Sequence, residues 1–151
     1  MYQKRNPQST MFETSYLVPE AKAKRLRASW AETFRTRALG LIDEDLFAPL
    51  YCRDNGRPNR PVQTVLGVLI LKDMFDLTDA EALERLEFDL LWHHALSLEP
   101  EEAHLPQKTL HNFRARMIAH ESGPLAFASV TDRVVEVLGT NLSSSDWIRP
   151  R

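Results

Sequence analysis

The sequence predicts an all-α fold: a compact multi-helix domain with a helix-turn-helix-like part, a flexible N-terminal arm and a C-terminal tail. Three observations carry this expectation. Apolar residues recur at helical spacing in several stretches, helix-start signals precede those stretches, and no stretch alternates apolar and polar residues over the length of a strand. With 151 residues, 43% of them hydrophobic, the chain can bury one core and is short for two full domains. The expected divisions are an arm over residues 1–19, a helical domain over 20–140 and a disordered tail over 141–151.

Residues 1–19 mix Pro, Gln, Ser and Thr with scattered aromatics and show no period, which suits an extended arm. Pro19 opens a helix expected to reach about Leu39. Leu26, Trp30 and Phe34 line one of its faces, and Lys22, Lys24, Arg25, Arg27, Arg35 and Arg37 make the other cationic. A short helix is expected over 43–50, with Asp43, Glu44 and Asp45 at its electropositive start. Asn55-Gly56, Arg57-Pro58 and Arg60-Pro61 give residues 52–61 the chemistry of turn and linker.

Pro61 suits a first helical position, and residues 62–75 are apolar nearly all round, which marks a central buried helix. Gly67 within it permits close helix packing. Thr78-Asp79-Ala80-Glu81 is a capping-box pattern, followed by Ala82, Leu83 and Leu86 on one face. The short break at Asp76-Leu77 then requires a sharp turn between the two helices. A further short helix over 89–96 carries Leu90, Leu91, Trp92, His93 and His94, and an acidic loop follows over 99–105. Helix is expected again from Gln107 or Lys108 to Ala119, and from Pro124 to Leu138, where Gly139 stops it.

The formal charge of −2 conceals a gradient. Residues 1–37 sum to +5, residues 38–105 to −9 and residues 106–151 to +2. Such segregation is compatible with nucleic-acid contact through the basic ends, although the total charge alone would not suggest it. The longest apolar run, residues 65–71, is far too short to cross a bilayer, and the first eleven residues carry no secretory apolar stretch, so a cytoplasmic protein is expected. Cys52, a lone cysteine, has no partner for a disulfide or a thiolate metal site. His93 and His94 are adjacent and diverge by about 100° on a helix, whereas helical metal pairs favour spacings of three or four. His104 and His111 fall in different elements, and the acidic residues are scattered over helix faces. Neither a phosphate-cradling glycine loop nor a Ser/His/Asp signature is present, so no metal or cofactor is expected.

The helix after Pro106 is the most informative segment. Steps of about 100° per residue put Leu110, Phe113, Met117 and Ile118 on one side and Lys108, His111, Asn112 and Arg116 on the opposite arc. Lys and Arg pair with phosphates or guanine edges, and Asn can make two hydrogen bonds to adenine, which is what a major-groove helix needs. Lys108, Thr109, His111, Asn112 and Arg116, with Lys24 and Arg27 of the basic helix, form the candidate DNA-binding set. The other reading of the same face is a solvated polar surface. Arg114 lies on the flank of the apolar stripe, where packing or pairing with an acid is expected.

Residues 56–117 resemble the amino-terminal domain of insertion-sequence transposases of the InsH-like group. The likeness rests on an ordered series: Gly56-Arg57-Pro58 with Pro61, the apolar helix over 62–75, then Leu77, Ala80, Leu83 and Glu84, and Asp89-Leu90-Leu91-Trp92. It closes with Leu105-Pro106-Gln107-Lys108-Thr109-Leu110, where Thr109, Leu110, Phe113 and Arg114 match the family's Thr-Leu-x-x-Phe-Arg. The resemblance implies a helical front half that binds the terminal repeats of a transposon as double-stranded DNA. A ribonuclease-H-like domain would follow, with three acidic residues holding two divalent metals.

The sequence stops at Arg151, where that domain would begin, so a DNA-binding portion without its own catalysis is expected. Full-length transposase or a second copy are the further partners implied, and the alternative is a helical protein-interaction module. Codons for Asp146-Trp147-Ile148-Arg149-Pro150, read one nucleotide earlier, encode Leu-Asp in a context like that of the family's first catalytic Asp. This raises the expectation of a frameshift near residues 143–145, with frameshifted translation as a route to a restored enzyme.

Overall fold

All regular structure is helical among the residues that the computed structural model describes, which are residue 2, residues 18–51 and residues 60–141. In chain order these are α1 (Glu20–Arg27), α2 (Trp30–Thr33), a π turn (Phe34–Ala38), two 3-10 segments (Leu39–Leu41 and Glu44–Leu50), α3 (Val62–Met74), α4 (Asp79–Phe88), α5 (Leu90–Leu96), α6 (Gln107–Ala119) and α7 (Gly123–Asn141). Most of the arm, Cys52 with the turn over 52–59, and the tail from residue 142 with its frameshift reading lie outside the described residues.

The single helix expected from Pro19 to Leu39 is broken. Ser29 is extended, with φ −94° and ψ 169°, and its hydroxyl donates 2.6 Å to the Leu26 carbonyl. A serine hydroxyl offers the backbone a local partner that competes with the helical ladder, and here it closes the end of α1, with α2 beginning at the next residue. The bend brings Trp30 edge-on to Phe75, with ring centroids 5.0 Å apart, and buries Ala31, Phe34, Ala38 and Leu39. The helix expected over 43–50 is present as a 3-10 segment, entered through Asp43, whose carboxylate accepts from the Asp45 amide at 3.0 Å.

A helix apolar all round has to be surrounded, and α3 is. Val62, Thr64 and every residue from Val65 to Leu71 are buried. Gln63 spans from α3 to donate 3.0 Å to the Leu39 carbonyl. Gly67 faces Leu96 of α5, where any Cβ would collide with the leucine methyl, so the glycine sets how closely these helices approach. The chain leaves α3 through a Schellman turn in which Leu77 N–H donates 3.0 Å to the Lys72 carbonyl and Asp76 takes φ 50°. Aspartate is among the few residues besides glycine that visit this left-handed region readily.

Both sides of the capping box at Thr78 and Glu81 form, and α4 buries Ala82 and Leu86. Asp89 ends α4 and caps α5, accepting from Leu91 N–H at 2.8 Å. α5 exits through a second Schellman turn, with Ser97 at φ 54° and Leu98 N–H donating 2.9 Å to the His93 carbonyl.

α7 departs from expectation at its far end, because it runs through Gly139 to Asn141. Glycine inside a helix costs only about 1 kcal/mol, and burial of Val130, Val134 and Leu138 along one side of α7 offsets that. Gly123 at the other end is needed for a different reason: a Cβ there would collide with the Met117 backbone, so the tight turn over 120–122 depends on its absence. From this turn α7 packs back against α6, the π turn and both 3-10 segments, closing the core.

Candidate nucleic-acid interface

α6 is held by one face. Leu110, Phe113 and Met117 are buried, and the Phe113 ring lies 6.0 Å from that of Phe47. Beside this stripe Arg114 forks onto Asp79 of α4 through two hydrogen bonds of 2.6 and 2.7 Å, the pairing with an acid expected from its position on the flank. Lys72 of α3 adds a second cation 3.7 Å from the same carboxylate. The Arg114 hydrogen bonds hold the Asp79 carboxyl below its ordinary range, and Asp79 in turn raises the guanidinium pKa. A rigid apolar contact and a bidentate clamp thus fix both the position of α6 and its rotation.

With that rotation fixed, Lys108, His111, Asn112 and Arg116 are exposed and Thr109 is half-buried at the helix start. Ile118 does not join the apolar stripe: it is 80% exposed. It sits about 100° from the centre of the stripe, and a packing face narrower than the full apolar arc leaves it in solvent.

Arg116 has a contact that the helical wheel could not reveal. Its guanidinium carbon lies 5.0 Å from the centroid of the Tyr51 ring, at the end of the second 3-10 segment. Tyr51 is half-buried, and Tyr2 packs on its ring at 5.9 Å. Burial raises the Tyr51 hydroxyl above its ordinary pKa, with the nearby Arg116 charge and the hydrogen bond Arg116 donates to that hydroxyl opposing the rise. Tyr2 is pushed up to about 12, first by burial and then by Glu44 and its acidic neighbours.

Lys24 and Arg27 are also exposed, on α1. Arg27 pairs with Glu20 at 2.6 Å, a contact in open solvent that contributes little to stability. α1 packs against α2, whereas α6 packs against α4 and α7, so the two basic groups are carried by different parts of the fold.

The adjacent histidines of α5 point to separate partners. His93 is buried, with Nε2 2.7 Å from the Leu86 carbonyl, and His94 pairs with Glu32 of α2. Among the described residues no three His, Cys, Asp or Glu side chains converge as ligands, and no helix is long and apolar enough to cross a membrane.

Residues 25–116 match the family model described as Transposase domain (DUF772). The match begins within α1 and stops in the last turn of α6. No curated protein and no solved structure matches the chain.

Proposed function

Because the chain belongs to the transposase domain family DUF772, we propose that its helical domain binds double-stranded DNA in the cytoplasm and recognises the terminal repeats of a transposable element. The observation that supports this most is α6 itself, clamped by Arg114 and Asp79 on one side and presenting Lys108, His111, Asn112 and Arg116 together on the other. In this reading α6 is the recognition element of the helix-turn-helix-like part, although residues 97–106 intervene between it and α5. Lys108 and the exposed N–H groups at the start of α6 would meet phosphates, and Asn112 is suited to the two hydrogen bonds that adenine offers. The acidic surface of α4 disfavours the opposite orientation, since like charge repels the duplex. The role assigned to these residues is binding and not strand cleavage.

Fluorescence anisotropy with duplexes covering the ends of the encoding element, repeated over a range of salt concentrations, tests the reading. Binding should weaken as salt rises, with a slope of about −0.9 per phosphate contacted. Absence of salt-dependent binding to those duplexes would refute it. Incubation of the bound complex with Mg²⁺ should leave the duplex intact.

A further inference from the structure

Several arginines of the described residues are spent on carboxylates: Arg27 on Glu20, Arg35 on Glu32 and Arg114 on Asp79. Arg116 is different, because its partner among the described residues is Tyr51: its guanidinium carbon lies over the ring, and its side chain also reaches the hydroxyl. A guanidinium carries five N–H donors, so one held over a ring and against its hydroxyl keeps others available to a ligand. Such a contact also restricts the rotamers of a long side chain before any ligand arrives, so less freedom is lost on binding. The platform is itself fixed: Tyr51 is half-buried, its N–H donates 3.1 Å to the Ala48 carbonyl, and Tyr2 backs its ring.

Resting on the DNA-binding reading above, we propose that Tyr51 is a positioning residue that holds Arg116 as a preset fork for the O6/N7 edge of a guanine, so that Arg116 selects sequence while Lys108 serves the phosphates. A phosphate contact tolerates a mobile cation, and a lysine would supply it equally well. The two parallel hydrogen bonds of a guanine edge need a planar donor pair in a defined orientation, and an arginine held by Tyr51 supplies that.

The probe is a library of duplexes with a randomised core, enriched on the full chain by repeated binding and sequenced. The wild-type protein should enrich at least one position in favour of guanine. Arg116→Lys, which keeps the charge, should reduce that preference by roughly tenfold, with the salt slope unchanged. Tyr51→Leu should do the same, whereas Tyr51→Phe, which keeps the ring and loses only the hydroxyl, should retain most of the preference. Persistence of the guanine preference in Arg116→Lys would overturn the proposal, as would an equal loss of affinity across all sequences. If Tyr51→Leu proves unfolded by circular dichroism, the exposed Arg116→Lys change decides alone. Failure of the wild-type chain to bind any duplex would refute the DNA-binding reading itself, and this assignment with it.

Discussion

Arg114 and Asp79 join α6 to α4 through two parallel hydrogen bonds, Nη1 to Oδ2 at 2.6 Å and Nη2 to Oδ1 at 2.7 Å. The pair is partly shielded, so its worth should fall between that of an open surface bridge and a buried one. Arg114→Ala should cost about 1–2 kcal/mol in urea unfolding, and Arg114→Lys should recover only part, since an ammonium cannot fork. The folded-state pKa of Asp79 is depressed, so the stability it contributes is complete above the unfolded value of about 4 and lost as pH falls through the lower folded value. Asp79→Asn should therefore flatten the acid limb of the stability profile; an unchanged limb would show that the pair does not hold in solution.

Two glycines of α7 should respond to the same substitution with opposite signs. Gly123→Ala forces a Cβ into the Met117 backbone, which has no flexible end to yield, and should cost about 1–3 kcal/mol. At Gly139 a Cβ meets nothing within 4 Å and the residue is helical, so Gly139→Ala should stabilise by about 0.5–1 kcal/mol. Thermal midpoints that move in the same direction for both would contradict the described course of α7.

The face that α6 buries can be checked by contrast. Phe113→Ala empties a fully packed position against Phe47 and should cost about 3–5 kcal/mol. Ile118→Lys changes a side chain already in solvent and should stay within about 0.5 kcal/mol of the native protein. A large loss at Ile118 would mean that another surface covers it in solution.

The two basic groups can be ranked by their salt response. Lys108→Ala should lower affinity for a bound duplex and reduce the salt slope by about 0.9, the share of one released counterion. The double change Lys24→Ala with Arg27→Ala should alter the slope less, since Arg27 already has Glu20 beside it. If α1 alone moves the slope, the contacting helix has been misassigned.

Features decided within a few residues were legible in the sequence. Thr78 and Glu81 satisfy each other across one turn, Asp89 caps the helix that follows it, and Arg114 falls where its angle on α6 requires. Features decided by distant neighbours were not. Ser29 is compatible with a helix interior or a break, and the burial of Phe34 against the core selects the break. Gly139 reads as a stop until the apolar side of α7 is seen to continue to Leu138. In the candidate site, the exposed set on α6 followed from periodicity, but Tyr51 was missed, because no local pattern connects a tyrosine at the end of one short segment with an arginine on another helix.

The way α7 packs bears on how such a domain should be delimited. The match to the family model ends at Arg116, before α6 itself is finished, while the side chains that seal the π turn and the 3-10 segments, Val130, Val134 and Leu138, belong to a later helix. An expression boundary drawn at the limit of similarity would strip the cover from Phe34 and its neighbours and leave an apolar trough open to water, inviting aggregation. The excisable unit reaches at least to Leu138, and it is set by which surfaces need covering rather than by how far the likeness extends.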